Sequence, residues 1–178
     1  MLKKLLIAIA VLVIALGCVV AYAAITRPNS FRVERAATID APPAKLIGIL
    51  TDLRRGAEWS PYEKRDPAMK KTFSGPPSGS GARLEWDGNS DVGAGSLTIA
   101  DVTPSKVTLN LAMKRPMTAN NVIEYSLAPN GNATTMTWAM QGHMPLIAKV
   151  ISVFMNFDRM IGADMEQGLK DLKALAER

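Results

Sequence analysis

Val107-Thr108-Leu109-Asn110-Leu111-Ala112-Met113 is the stretch on which the fold turns. Every second residue is apolar, the period of a strand with one face buried and one wet. Working outward, the same period marks Met69–Phe73, Ala82–Trp86, Gly95–Asp101, Thr118–Leu127 and Ala133–Gln141, with the quoted run inside a strand expected over Lys106–Met113. Turn-forming residues separate these strands: Gly75-Pro76-Pro77-Ser78-Gly79, Asp87-Gly88-Asn89, Thr103-Pro104-Ser105, Lys114-Arg115-Pro116 and Asn130-Gly131. The last is the strongest hairpin signal, because Asn-Gly readily takes the positive φ angles of a tight turn. Met136, Trp138 and Met140 mark a second apolar face.

Upstream, Phe31-Arg32-Val33-Glu34-Arg35 alternates in the same way, and Asp40-Ala41-Pro42-Pro43 opens a short helix buried through Leu46, Ile47, Ile49, Leu50 and Leu53. Gly56-Ala57-Glu58-Trp59-Ser60-Pro61 ends it. Downstream, Ile147, Val150, Ile151, Phe154, Ile161, Met165, Leu169, Leu172 and Leu175 recur at helical spacing after Pro145. Uninterrupted, a helix over 145–176 would reach roughly 45–50 Å. A meander of about seven strands with a single long helix has one economical solution, a curved antiparallel sheet wrapped on that helix, each burying one face against the other. The class is therefore α+β.

The N-terminus adds a different element. Met1-Leu2-Lys3-Lys4 precedes a charge-free apolar run, Leu5 to Ile25, long enough to cross a bilayer's hydrocarbon core of about 30 Å. A cleaved signal would use Ala21-Tyr22-Ala23, but its apolar core usually spans only about 7–15 residues. A lipoprotein would use Cys18, yet Ala15-Leu16-Gly17-Cys18 lacks the usual leucine and the run continues apolar beyond it. An uncleaved single-span anchor fits the length best. Lys3 and Lys4 against a lone Arg27 put the N-terminus in the cytoplasm and the globular part outside it, in the periplasm of a Gram-negative cell. The expected organisation is an anchor over 1–26, a linker over 27–30 and one domain over 31–178.

Charge narrows the partners. The chain carries 21 Lys and Arg against 16 Asp and Glu, a net +5. The basic residues are scattered, with no stripe or recognition element for nucleic acid. Cys18, the single cysteine, lies within the apolar run, so neither an intramolecular disulfide nor a cysteine metal site can form. One histidine, His143, and dispersed carboxylates give no metal-ligand spacing. Gly75–Gly81 lacks the lysine and hydroxyl of a P-loop, and Gly93-Ala94-Gly95 lacks a third glycine at dinucleotide spacing. No cofactor is expected.

The ordered set of Ile39-Asp40-Ala41-Pro42-Pro43, Trp59-Ser60-Pro61-Tyr62, Phe73-Ser74-Gly75, Gly79-Ser80-Gly81-Ala82, Trp86-Asp87-Gly88-Asn89, Thr137-Trp138-Ala139-Met140 and Met160–Leu169 resembles the SRPBCC superfamily. This is the START and polyketide-cyclase-like group with a helix-grip fold, and the resemblance spans residues 31–177. It implies an apolar cavity between sheet and C-terminal helix, without implying one reaction. Candidate ligand contacts are Trp59 and Tyr62 at the mouth, Trp86, Trp138, Met140, Phe154 and Met155 along the wall, and Tyr125. Asp158 sits on or near the helix's apolar stripe, as a polar contact or as an exposed edge. Ordinary core packing accounts for each apolar residue equally well. The expected function is a membrane-tethered module holding a hydrophobic or amphipathic small molecule, lipid- or isoprenoid-like. The alternatives are a cyclase or dehydratase using Asp158, Tyr125 or Glu124, and an envelope protein-interaction domain. Alternation forbids Glu124 and Tyr125 from both facing inward.

Overall fold

The structure, a computed structural model, describes all residues from Met1 to Arg178. The elements are α1 (Leu2–Thr26), β1 (Ser30–Ile39), α2 (Pro43–Leu50), a 3₁₀ turn (Leu53–Arg55), α3 (Gly56–Trp59), α4 (Pro61–Arg65), β2 (Lys70–Ser74), β3 (Arg83–Asp87), β4 (Ala94–Thr103), β5 (Lys106–Arg115), β6 (Ala119–Asn130), β7 (Ala133–His143), α5 (Leu146–Phe154) and α6 (Phe157–Ala176). The chain divides into two compact units. One comprises Met1–Phe31 with His143–Phe157, and the other Arg32–Gly142 with Asp158–Arg178.

The larger unit holds the sheet, ordered β1-β7-β6-β5-β4-β3-β2. Strands β2 to β7 form a meander in which each pairs antiparallel with the next. The register carries the inward residues across the sheet in rows. Val107, Tyr125 and Trp138 form one row, and Leu109, Ile123 and Met140 the next. Leu97, Leu111, Asn121 and Gly142 make a third. The first two rows are buried, as are Met165, Leu169 and Leu172 of α6. The helix approaches the sheet at Gly168, where an added Cβ would stand 2.6 Å from Trp138. Thr134, fully buried, donates its hydroxyl to the Ala41 carbonyl at 2.7 Å and ties β7 to the approach of α2.

Two local expectations need correction. The hairpin turn is offset by one residue: Asn130 pairs with Ala133, so Gly131 and Asn132 are its centre. Gly131 alone has positive φ, +61°, which suits the first central position of a type II′ turn. The C-terminal helix is also two helices. Met155 takes extended backbone (φ −124°, ψ 133°), and α6 starts afresh at Phe157. The apolar period runs straight through that break, so sequence spacing alone conceals it.

The smaller unit is α1 and α5 packed together. α1 is an apolar helix of 25 residues, long enough to cross a membrane, and its apolar window is unburied. Its shielded side chains are Val19, Val20 and Ala23, in the last turns, followed by the half-buried Arg27 just beyond the helix. Met144 donates its backbone N–H to the Asn29 carbonyl at 2.8 Å.

Candidate functional site

The inner sheet face ends differently in its two directions. Toward one end three aromatic rings pack on it, Trp59 of α3, Tyr125 of β6 and Trp138 of β7, with the buried Leu127–Met136 pair beyond them. Their centroids lie 5.5–6.0 Å apart at interplanar angles of 72–75°. Edge-to-face pairs of this kind add about 0.5–1.5 kcal/mol each beyond the area they bury. The local sequence explains the placement. Cross-strand pairing sets Tyr125 beside Trp138, and the proline at the start of α4 stops α3 so that Trp59 turns inward. Burial pushes the Tyr125 phenol well above the ordinary phenol range. The Trp138 indole N–H is shut off from water without a partner. Indole is a donor only, and a buried donor left unmet costs about 1–3 kcal/mol.

Toward the other end the same face stays half open. Leu97, Leu111 and Met113 are only half-buried, with Asn121 and Gly142 in register beside them. Asn121 is in phase with Ile123, Tyr125 and Leu127, so its amide faces inward with them. Its side-chain oxygen is buried with no hydrogen-bond partner. Trp86 borders this zone. Its indole lies over Gly95, where a Cβ would come within 2.8 Å, and donates to the Val92 carbonyl at 3.2 Å.

Of the residues singled out from sequence, Trp59, Tyr125, Trp138 and Met140 are buried in the larger unit, and Tyr62 and Trp86 are half-buried there. The Tyr62 hydroxyl faces the Asp164 carboxylate, and burial with that negative neighbour raises its pKa well above the ordinary phenol range. Arg65 covers the Tyr62 ring at 5.7 Å and donates to Asp164 at 3.1 Å. Asp158, Phe154 and Met155 are exposed in the structure. Asp158 is 60% exposed and paired with Arg35 at 2.9 Å. That guanidinium lies across Gly162 and also binds Glu166 at 2.7 Å. It holds the Asp158 carboxyl below the ordinary carboxylate range. Phe154 and Met155, at the end of α5, are 74% and 49% exposed. Glu124 points to the outer face, where its ion pairs to Lys106 and Arg32 lower its pKa.

Asn121 was missed. The available signal was a polar residue standing in the apolar phase of β6, between Ala119 and Ile123. No group of three or more His, Cys, Asp or Glu side chains comes together that could hold a metal ion.

A meandering sheet gripping one long helix defines the helix-grip class. The chain belongs to the polyketide cyclase / dehydrase and lipid transport family, whose profile matches residues 30–177. Solved structures show the same fold at low identity. A protein from Chromobacterium violaceum superposes with a TM-score of 0.58 at 16% identity, covering 85% of this chain and 99% of its own. The Aha1 dimer from Colwellia psychrerythraea gives 0.58 at 17%, covering 83% and 96%. The di-domain ARO/CYC protein BexL of the BE-7585A biosynthetic pathway gives 0.61 at 17%, covering 86% of this chain and 52% of that one. No curated protein sequence matches the chain.

Proposed function

We propose that the domain is a membrane-tethered binding module for an amphipathic small molecule with an apolar body and a hydroxyl. The observation that carries this reading is Asn121. Its unpartnered side-chain oxygen sits among the half-buried Leu97, Leu111 and Met113 on the inner sheet face. An apolar surface with one unmet polar group favours a ligand of the same make-up, since few polar groups fix orientation in an otherwise apolar site. A hydroxyl both donates and accepts, so it satisfies the amide in either orientation. The orphan Trp138 N–H is a second polar point deeper in the same face. Tethering through α1 would keep the domain within linker reach of the bilayer and raise its effective concentration there.

The enzyme reading has lost two of its candidates: Asp158 and Glu124 face away from the interior in ion pairs. Binding is therefore the better-supported function for the site.

The test uses full-length protein in detergent. Native mass spectrometry and organic extraction look for a retained apolar compound at fixed stoichiometry. In parallel, retinol and its methyl ether are titrated while tryptophan quenching is followed. Saturable binding with roughly tenfold preference for the free hydroxyl, about 1.4 kcal/mol, is expected. Asn121→Leu should abolish that preference. Equal affinity for both probes in the unaltered protein would refute the role of Asn121. No retained compound and no saturable quenching would refute the binding function.

A further inference from the structure

Helix α5 is inside out for a helix in water. At about 100° per residue, Leu146, Ile147, Val150, Ile151 and Phe154 share one side, and Ala148, Lys149 and Ser152 the other. The apolar side carries the helix's most exposed residues: Leu146 is 50%, Ile147 58% and Phe154 74% exposed, with Val150 and Ile151 half-buried. Lys149, the only charged residue of the helix, is 8% exposed. Its ammonium donates to Asn29 Oδ1 at 2.6 Å. Ser152 turns its hydroxyl back onto the Lys149 carbonyl at 2.7 Å. A surface helix ordinarily buries its apolar stripe and hydrates its charges. Here the polar side is withdrawn and the apolar side displayed.

The display is continuous with a larger apolar surface. α5 packs on α1, whose shielded side chains are Val19, Val20 and Ala23, while Leu2–Cys18 is exposed all round. Val19 to Ala23 lies about 3–9 Å below Ile25 along the helix axis. Interfacial helices sink about 5–10 Å into the headgroup and acyl boundary. The depth along α1 and the depth of such helices agree.

We propose that α5 is a membrane-embedded interfacial helix, seated in lipid against the last turns of α1 in the leaflet nearest Ile25. The occupant of its outward face is the acyl and headgroup region of that leaflet. Leu146, Ile147 and Phe154 enter it, and Asn29 keeps the Lys149 ammonium satisfied at the helix's protected side. The protein then holds the bilayer at two places in its sequence, residues 5–25 and 146–154. The proposal rests on α1 spanning the bilayer.

The experiment keeps the two claims apart. Full-length protein carrying Cys18→Ala is reconstituted into mixed phosphatidylcholine and phosphatidylglycerol vesicles. Single nitroxides are attached after Val13→Cys, Ile147→Cys, Phe154→Cys or Thr103→Cys, the last an exposed turn residue. Electron paramagnetic resonance measures relaxation by oxygen, which concentrates in lipid, and by a water-soluble nickel chelate. The expected result is strong oxygen relaxation with loss of nickel relaxation at 147 and 154, as at 13, and the reverse at 103. If 13 reads as lipid while 147 and 154 read like 103, the proposal is overturned and the anchor stands. Protection of 147 and 154 from both reagents would mean a protein covers α5, which also overturns it. Nickel access at 13 would remove the anchor and the proposal together.

Discussion

Gly168→Ala puts one methyl where α6 meets the aromatic triad. The new Cβ would stand 2.6 Å from Trp138 Cζ3 and 3.1 Å from Pro61 Cδ. The first distance is about 0.8 Å short of ordinary contact. The Trp138 ring cannot swing away, since Trp59 and Tyr125 hold its other sides at centroid distances of 5.6 and 5.5 Å. The helix must lift or the triad must spread. Overpacking of this kind costs about 1–3 kcal/mol. Against it stands the gain from replacing glycine in a helix interior, about 1 kcal/mol. The expected net loss is about 0–2 kcal/mol, a fall in Tm of up to roughly 8 °C for a chain of this size, against the gain expected of an unhindered site. Gly48→Ala in α2 is the matched control. Nothing lies within 4 Å of its added Cβ, so it should show the helix gain alone and stabilise by up to about 1 kcal/mol. The assay is urea unfolding of the full-length protein in mild detergent, followed by tryptophan fluorescence, with near-UV circular dichroism reporting on the triad. If Gly168→Ala is as stable as Gly48→Ala, with an unchanged near-UV spectrum, the close approach of α6 to Trp138 is wrong.

Three further outcomes are expected. Glu63 is buried and paired with Lys71, so Lys71→Met should cost about 2–3 kcal/mol by stranding the carboxylate, and adding Glu63→Gln should recover most of it; a double-mutant cycle in urea measures both. Arg35→Gln should return the Asp158 carboxyl toward its ordinary value in an NMR titration. With Arg35 present the folded pKa is depressed, so that pair's stabilisation is present above the ordinary carboxylate range and is lost as pH falls through the folded value; an unchanged titration would show that the pair does not form in solution. Tyr62 and Tyr125 have raised phenol pKa values, so stability should be full below the ordinary phenol range and decline as pH rises from it toward the folded values. Alkaline difference spectroscopy should find these two phenols ionising together with unfolding, and early titration of both in the native state would contradict their burial.

The strands were legible because alternation is a local property that burial on one face imposes directly. Val107, Leu109, Ile123, Tyr125 and Trp138 all show it, and the register follows from it. The break at Met155 was not legible. Phe154 and Met155 continue the apolar period, and a helix exposing apolar residues gives the same spacing as one burying them. For that reason the sequence placed Phe154 and Met155 in a ligand cavity, whereas the structure exposes them. Asp158 was open between a polar contact and an exposed edge: its position near the apolar stripe is real, but Arg35 reaches it from β1, over a hundred residues away, and no local pattern announces that partner. Asn121 was legible by parity alone. A polar residue standing in an apolar phase is a signal in its own right.

The pairing of α1 with α5 also sets an order of events during synthesis. Asn29 and Lys149 are 120 residues apart. At about 5–20 residues per second, the ribosome delivers α5 roughly 6–24 s after the end of α1. Throughout that interval the last turns of α1 wait without their neighbour while every strand of the sheet is made between them. The smaller unit thus cannot close until every strand has been made, and the chain between its two helices contains the whole sheet. A nascent chain stalled before Leu146 would hold all seven strands and still lack its second helix beside α1.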